Sequence, residues 1–407
     1  MKQPQADPRT LRKGLIVNST PLEPPMNKSI SSRRSVAPAA ALLVLLSVPD
    51  GAFAADDQTW VGDRVVIKQS GVRIGHTDAA GWQVYVAELT DVVYTVLDQK
   101  DGWLLDRHCG VQGWLDREQA LLPEDAVTFF TQRIRVDSKD ALAFAHRGRA
   151  WQERGDLERA LRDLNEAVRL SPENPGWLRA RGLVYDELKD YDRAIRDYTE
   201  AIRFAPGDAL THYRRGSARK AKQEYEHAVR DYNDAIRFEP RWSDAYFNRG
   251  NSYKSLKDYD RAIDDYSQAI RLDPKWSDAY FNRANARRAK KDYPQAVNDY
   301  REAIRLDPKD ADASSGLAWL LATCPDASVR DGPKAIELAT RACELTSWEA
   351  LYFLAVLGAA EAEIGDFDEA IKWQQRALKS ARYERQDGEK ARQRILLYEK
   401  RRPYREE

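Results

Sequence analysis

Three cysteines and five histidines are few for a chain of 407 residues. An odd, scattered set at Cys109, Cys324 and Cys343 cannot build the even-numbered framework of a disulfide-stapled domain. The histidines, His76, His108, His146, His212 and His227, include no His-x-x-x-His pair around a glutamate, so the zinc-hydrolase arrangement is missing. No Gly-x-Ser-x-Gly elbow, phosphate-cradling glycine loop or dinucleotide fingerprint occurs. An excess of one charge is missing too. The 65 basic residues balance 65 acidic ones, which gives no footing for a nucleic-acid partner. The neighbours His108 and Cys109 read as the edge of a β-structure, not as a metal or nucleophile site. No catalytic residue, metal site or cofactor is expected.

What is present begins with composition. Charged residues make up 32% of the chain, above the roughly 25% of an average globular protein. That suits a thin helical array with much surface per unit of core. Eleven Trp and nineteen Tyr need somewhere to pack and argue against disorder. Residues 1–54 read as a signal peptide, with Met26 the expected start. Arg33-Arg34 precede the apolar run Val36 to Val48, too short to cross a bilayer comfortably. Pro49-Asp50-Gly51 break it, and Ala52-Phe53-Ala54 supply a small-x-small cleavage pattern. Removing this leader takes away seven basic and three acidic residues and leaves a net charge near −4. The expectation is an exported chain, periplasmic or in the cell envelope, with no membrane contact after cleavage. An uncleaved, membrane-anchoring leader is the alternative.

The decisive pattern is a period of 34 residues. Pro172, Pro206, Pro240, Pro274 and Pro308 keep it without a slip. So do Ala160, Ala194, Ala228, Ala262 and Ala296, and Ala167, Ala201, Ala235, Ala269 and Ala303. Gly148, Gly182, Gly216, Gly250 and Ala284 mark small positions, expected to meet the small alanine of the next helix. Leu157, Tyr191, Tyr225, Tyr259, Tyr293 and Leu164, Tyr198, Tyr232, Tyr266, Tyr300 mark large ones. The spacing predicts helical hairpins that turn at segments such as Leu188-Lys189-Asp190-Tyr191, with proline after each second helix because it cannot continue one. A single hairpin cannot hide its own apolar face, but a stack can. Over 141–310 this combination resembles the tetratricopeptide repeat (TPR) family, in five regular units. The resemblance implies a mainly α fold, a right-handed superhelical solenoid, with a protein or peptide partner in its concave groove. Residues 123–140 are expected to be a capping helix and 311–384 two divergent repeats, the first with an enlarged loop. Residues 385–407 are expected to form a capping helix and tail, with Ile395, Leu396 and Leu397 on a charged helix. The stretch Leu317 to Asp326, with Ala342 to Thr346, resembles a C-terminal signature of one group of bacterial TPR proteins.

Residues 58–122 follow another grammar. Runs at 64–67, 83–86, 92–97, 102–105 and 113–115 predict five short strands and a small barrel. Asp101-Gly102-Trp103 and Gly110 to Leu115 resemble the end of bacterial SH3-like domains, which implies a small all-β SH3-like barrel and a cell-wall peptide as its ligand.

Two recurrences bear on binding. Arg147, Arg181, Arg215, Arg249 and Arg283 each precede an aspartate by sixteen residues, at Asp163, Asp197, Asp231, Asp265 and Asp299. Pairing of these helices is favoured over an arginine stripe for an acidic ligand. Acid neighbours such as Asp264-Asp265 read as solvated surface. Second, Asn248 and Asn251, and again Asn282 and Asn285, share a face at i and i+3. An amide offers donor and acceptor together, so a row of them can hold an extended peptide backbone. It resembles the asparagine ladder in the superhelical arm of O-GlcNAc transferases. Tyr213, Phe247, Phe281, Lys220, Lys254 and Arg288 are further groove positions. The alternative is ordinary helix-surface polarity in two near-identical repeats. The function expected is a non-catalytic adaptor; its rival is an envelope scaffold whose SH3-like domain contacts peptidoglycan or cell-wall peptides. Cys324 and Cys343, on the order of 15 Å apart along a helix, are expected to stay unbridged unless the loop folds back.

Overall fold

The structure is a computed structural model that describes residues 64–68, 73–77, 83–88, 93–95, 98–100, 103–108, 111–116 and 120–406. The expected leader and Cys109 lie outside the described residues. The chain divides into two compact units, one ending at Leu170 and the other beginning at Ser171.

The first unit opens with β1 (Arg64–Ile67), β2 (Arg73–Thr77), β3 (Gln83–Glu88) and β4 (Val93–Thr95). Then follow β5 (Asp98–Lys100), β6 (Trp103–His108), β7 (Val111–Asp116) and β8 (Ala120–Leu121). All pairings are antiparallel, in sheets ordered β4-β1-β8 and β3-β2-β7-β6-β5. Among the described residues eight strands stand where five were expected. Within the 92–97 run the described strand is β4, and β5 begins beyond it at Asp98, while β2 (Arg-Ile-Gly-His-Thr) and β8 (Ala-Leu) carry no β-branched run to announce them.

Helices α1 (Pro123–Val136), α2 (Ala141–Glu153) and α3 (Leu157–Leu170) complete this unit. Ala126 and Phe130 of α1 are buried with Val66, Leu121, Ala143 and Ala150 in one cluster. His146 donates from Nδ1 to the Ile67 carbonyl at 2.5 Å, tying α2 to β1. Burial, aided by the nearby Arg133 and Arg149 charges, pushes its pKa down to about 4.

The second unit is a run of helical hairpins. They are α4 (Pro175–Glu187) with α5 (Tyr191–Phe204), α6 (Ala209–Ala221) with α7 (Tyr225–Phe238), and α8 (Ser243–Ser255) with α9 (Tyr259–Leu272). Next come α10 (Ser277–Ala289) with α11 (Tyr293–Leu306), α12 (Ala311–Thr323) with α13 (Gly332–Leu345), and α14 (Tyr352–Ile364) with α15 (Phe367–Ala377). A single helix, α16 (Ala381–Glu399), ends the run. Asp190, Asp208, Asp258, Asp310, Asp331 and Asp366 accept from first-turn amides, so an aspartate side chain caps six of the thirteen helices α4–α16. First helices also touch first helices, from α4 through α6, α8, α10, α12 and α14 to α16. Together they make one continuous row along the stack. Among the described residues no helix is long and apolar enough to cross a membrane.

The small position at Gly182, Gly216 and Gly250 makes room for a tyrosine ring instead of the expected alanine, whereas Gly148 and Gly358 do lie against the backbone of Ala160 and Ala370. A Cβ on Gly250 would come within 2.9 Å of the Tyr266 ring, and one on Gly182 within 2.7 Å of Tyr198. Tyr198, Tyr232, Tyr266 and Tyr300 are accordingly fully buried. The arginine–aspartate pairs form in every regular hairpin, with contacts of 2.7, 2.8, 2.7, 2.6 and 2.7 Å from Arg147 to Arg283. Each arginine holds both carboxylate oxygens of the aspartate on its own second helix. Arg147, Arg215, Arg249 and Arg283 also reach back sixteen residues to Thr131, Thr199, Asn233 and Ser267 on the preceding helix. One guanidinium therefore fastens three helices. Asp265 is buried by this tie; of the acid pair read as solvated, only Asp264 is exposed.

At the far end α16 begins at Ala381, four residues before the expected 385–407 capping segment, and packs in the position of a further first helix. Its buried side is Tyr383, Gly388, Ala391, Arg394 and Tyr398, while Leu396 is exposed. Cys324 and Cys343 are buried free thiols, and burial pushes Cys343 up to about 11.

Candidate functional site

The ten groove positions all lie on three adjacent first helices. Helix α6 carries Tyr213 and Lys220; α8 carries Phe247, Asn248, Asn251 and Lys254; α10 carries Phe281, Asn282, Asn285 and Arg288. Every one is half-buried. The three rings are seam-fillers. Tyr213 packs on Trp242 and Phe247 on Trp276, each with centroids 4.4 Å apart, and Phe281 lies 6.0 Å from Tyr300.

The four asparagines divide into two kinds. Asn248 accepts from Lys220 Nζ and donates to Tyr213 Oη at 2.8 Å and the Asp244 carbonyl at 3.0 Å. Asn282 accepts from Lys254 Nζ at 2.6 Å and donates to the Asp278 carbonyl at 2.9 Å. Both amides are committed inside the protein. Asn251 and Asn285 are held differently, by the buried Tyr266 and Tyr300 hydroxyls, which donate to their Oδ1 atoms at 2.8 Å. The tyrosine fixes the carbonyl end, and the Nδ2 donors of these two amides have no partner among the described residues.

A second register runs along the same row. A residue near the end of one first helix reaches the residue 28 positions on, in the middle of the next. Lys220 meets Asn248 and Lys254 meets Asn282 in this way. Neither lysine has a carboxylate in ion-pair range among the described residues, and burial lowers the pKa of both. One repeat earlier the same positions hold Asp186 and Arg214; burial raises the Asp186 carboxyl to about 6, against the pull of Arg214. One repeat later the positions hold Arg288 and Gly316. Glycine offers no side chain, and Arg288 has neither hydrogen bond nor ion pair among the described residues.

Residues 243–275 and 277–310 each match a tetratricopeptide repeat model, and 146–209 match a second one. The chain contains tetratricopeptide repeats. Among solved structures, MamA is 26% identical over 40% of this chain and 96% of its own, with a TM-score of 0.39. YrrB, described as a TPR protein with an unusual peptide-binding site, is 21% identical over 45% and 95%, with a TM-score of 0.42. The C-terminal part of a TPR protein from Cytophaga hutchinsonii is 18% identical over 55% and 91%, with a TM-score of 0.47. No curated protein matches the chain.

Beyond the regular TPR units the row ends in a cavity of about 650 Å³ bounded by α10, α12, α14, α16 and the segment after α16. That segment folds back onto α12. Glu406 donates its amide to the Thr323 carbonyl at 2.9 Å and accepts from Trp319 Nε1 at 3.1 Å. Arg405 pairs with Glu363 at 2.6 Å. Trp319 stands 34 residues after Asn285, so this segment touches the next rung of the same TPR face. Sequence reasoning missed the cavity. Its one written signal is Gly316, where the register of Asn248 and Asn282 lapses.

Proposed function

We propose that the chain is an exported, non-catalytic adaptor that holds an extended peptide along its row of first helices. A TPR fold is generally a protein-interaction scaffold, and protein or peptide partners follow from it. The observation that carries the finer reading is the pair of tyrosine-anchored amides at Asn251 and Asn285, whose donors have no partner among the described residues. Spaced by one repeat, they can bond peptide carbonyls without reading side chains. Asn248 and Asn282 then serve to position Lys220 and Lys254, and the aromatic positions give the groove its walls.

Peptides selected by display on the full chain test this directly. Asn251→Ala with Asn285→Ala should weaken the selected peptides about tenfold, at a hydrogen bond's worth of roughly 0.5–1.5 kcal/mol per rung. Unchanged affinity removes the groove. Export is tested by N-terminal sequencing of the chain recovered from its host, expected to begin at Ala55. The antiparallel sheets within 64–121 support a small all-β domain, which we assign as SH3-like and as the contact to cell-wall peptide; retention of that segment on cell-wall sacculi checks it.

A further inference from the structure

The lapse at Gly316 has a counterpart in charge. Three arginines line the terminal cavity without a carboxylate in ion-pair range among the described residues: Arg288, Arg382 and Arg394. This is unusual for the molecule, whose regular units tie arginine after arginine to aspartate. Arg394 is 4% exposed; it donates to Tyr383 Oη and lies over the Trp319 ring, and its Nε has no partner. Of the three carboxylates in the cavity wall, one has a cationic partner and two accept from neutral donors. Asp312 accepts from Tyr352 Oη at 3.1 Å, Asp387 pairs with Lys390 at 3.5 Å, and Glu406 takes the Trp319 indole. Of the three arginines, Arg394 is buried, where an unpaired charge is costly, Arg288 is half-buried and Arg382 is exposed. With Lys390 they outnumber the wall's carboxylates Asp312, Asp387 and Glu406 and leave positive charge facing the cavity.

We propose that this cavity binds an acidic segment of a partner peptide, with Arg288 and Arg382 as the charges that receive its carboxylates. The proposal rests on the peptide-groove reading and adds the chemistry of one end of the ligand. Three features favour peptide over a free anion. The cavity opens onto the same face as Asn285 and Phe281, so a chain lying along the row runs into it. Its aromatic wall of Phe281, Trp319 and Tyr352 suits side chains between carboxylates. Residues 404–406 already lie there, held by a main-chain hydrogen bond and a carboxylate–indole contact, a built-in example of the ligand's chemistry.

The test is fluorescence anisotropy on the full chain with a labelled octaglutamate peptide, an octaglutamine control and inorganic phosphate as competitor. Arg288 and Arg382 make no described bond to the fold, so Arg288→Ala with Arg382→Ala should leave it intact, as circular dichroism would verify. Octaglutamate is expected to bind at least about tenfold tighter than octaglutamine, and to lose that margin in the double arginine variant and at high salt. In Asn251→Ala/Asn285→Ala the dependence on the arginines should persist. Equal affinity for the two peptides, or an arginine variant that binds octaglutamate as well as the parent, overturns the cavity proposal. Displacement by phosphate at equal charge concentration also counts against it, because it marks a small-anion site. If the asparagine variant is unaffected while the arginine variant fails, the groove reading falls and the acidic site stands.

Discussion

The hairpins from α6 to α11 and the terminal stretch from α12 to α16 are built from the same unit by different means. In the former, each first helix is fastened through an arginine to buried aspartate and to the preceding helix. In the latter that tie is gone and apolar packing replaces it. Leu317, Leu320 and Leu321 of α12 and Phe353 through Leu357 of α14 are buried nearly all round. Repetition supplies each of these arginines with an aspartate in its own hairpin and a polar partner on the helix before it. Where the repeat lapses, stability shifts to leucine and alanine, and arginines are left over around a cavity.

Substitution in each region separates the two means. Leu320→Ala, at a site with no exposure, should cost about 3–4 kcal/mol by lost burial and a residual cavity. Asp265→Ala should cost nearly as much, about 3 kcal/mol, because it strands Arg249 partly buried without its counter-charge. The polar tie is replaceable, however. Arg249→Met with Asp265→Leu should recover most of that loss, to within about 1 kcal/mol of the parent, since an apolar pair of similar volume avoids the desolvation. Urea unfolding measures all three. A cost below about 1 kcal/mol for Asp265→Ala would break the contrast, showing that the arginine ties are surface ornament.

A third kind of tie, in the first unit, titrates. His146 is neutral against the Ile67 carbonyl, its pKa depressed from 6.5 to about 4 by burial. The unfolded chain takes up this proton more readily than the folded one. The contribution is therefore complete above pH 6.5 and is lost as pH falls through about 4, reaching about 3 kcal/mol at full protonation. Hydrogen-exchange protection factors in α2 should drop over that window, more than those of the arginine-tied hairpins. His146→Phe should flatten the difference.

How much of this the sequence displays follows from what repeats. The period, the hairpin turns and the arginine–aspartate pairs are legible because the same side chain recurs in the same environment at Arg215, Arg249 and Arg283. The groove positions are legible as a face, but not their occupancy. Nothing in the spelling of Asn248 and Asn251 tells that one amide is spent on Lys220 and the other held by Tyr266. The partner of Gly250 was misread because periodicity places residues on helices without giving ring reach. The cavity, apart from the lapse at Gly316, is not written in the sequence for a different reason. It joins Arg288, Arg382 and Arg394 from helices that follow no common register, and such a site exists only after folding.

The smallest effect concerns the turns, where the regions differ again. Lys189, Gln223, Lys257 and Lys291 close regular hairpins in the left-handed region, at φ 60, 63, 61 and 64°. The same job falls to Gly365 at φ 92° in the terminal stretch and to Gly155 at φ 78° in the first unit. A side chain in that region crowds its own carbonyl at a cost of roughly 1–2 kcal/mol, part of which glycine gives back in unfolded-state entropy. Lys257→Gly should therefore stabilise the chain by about 0.5–1 kcal/mol. Gly365→Ala should destabilise it by about 1 kcal/mol, although no atom stands within 4 Å of the added methyl. Thermal and urea unfolding should show opposite signs for the two. A loss of stability in Lys257→Gly would mean that the lysine does more at the turn than close it, and the regular hairpins would then owe their tightness to the turn as well as to the arginine.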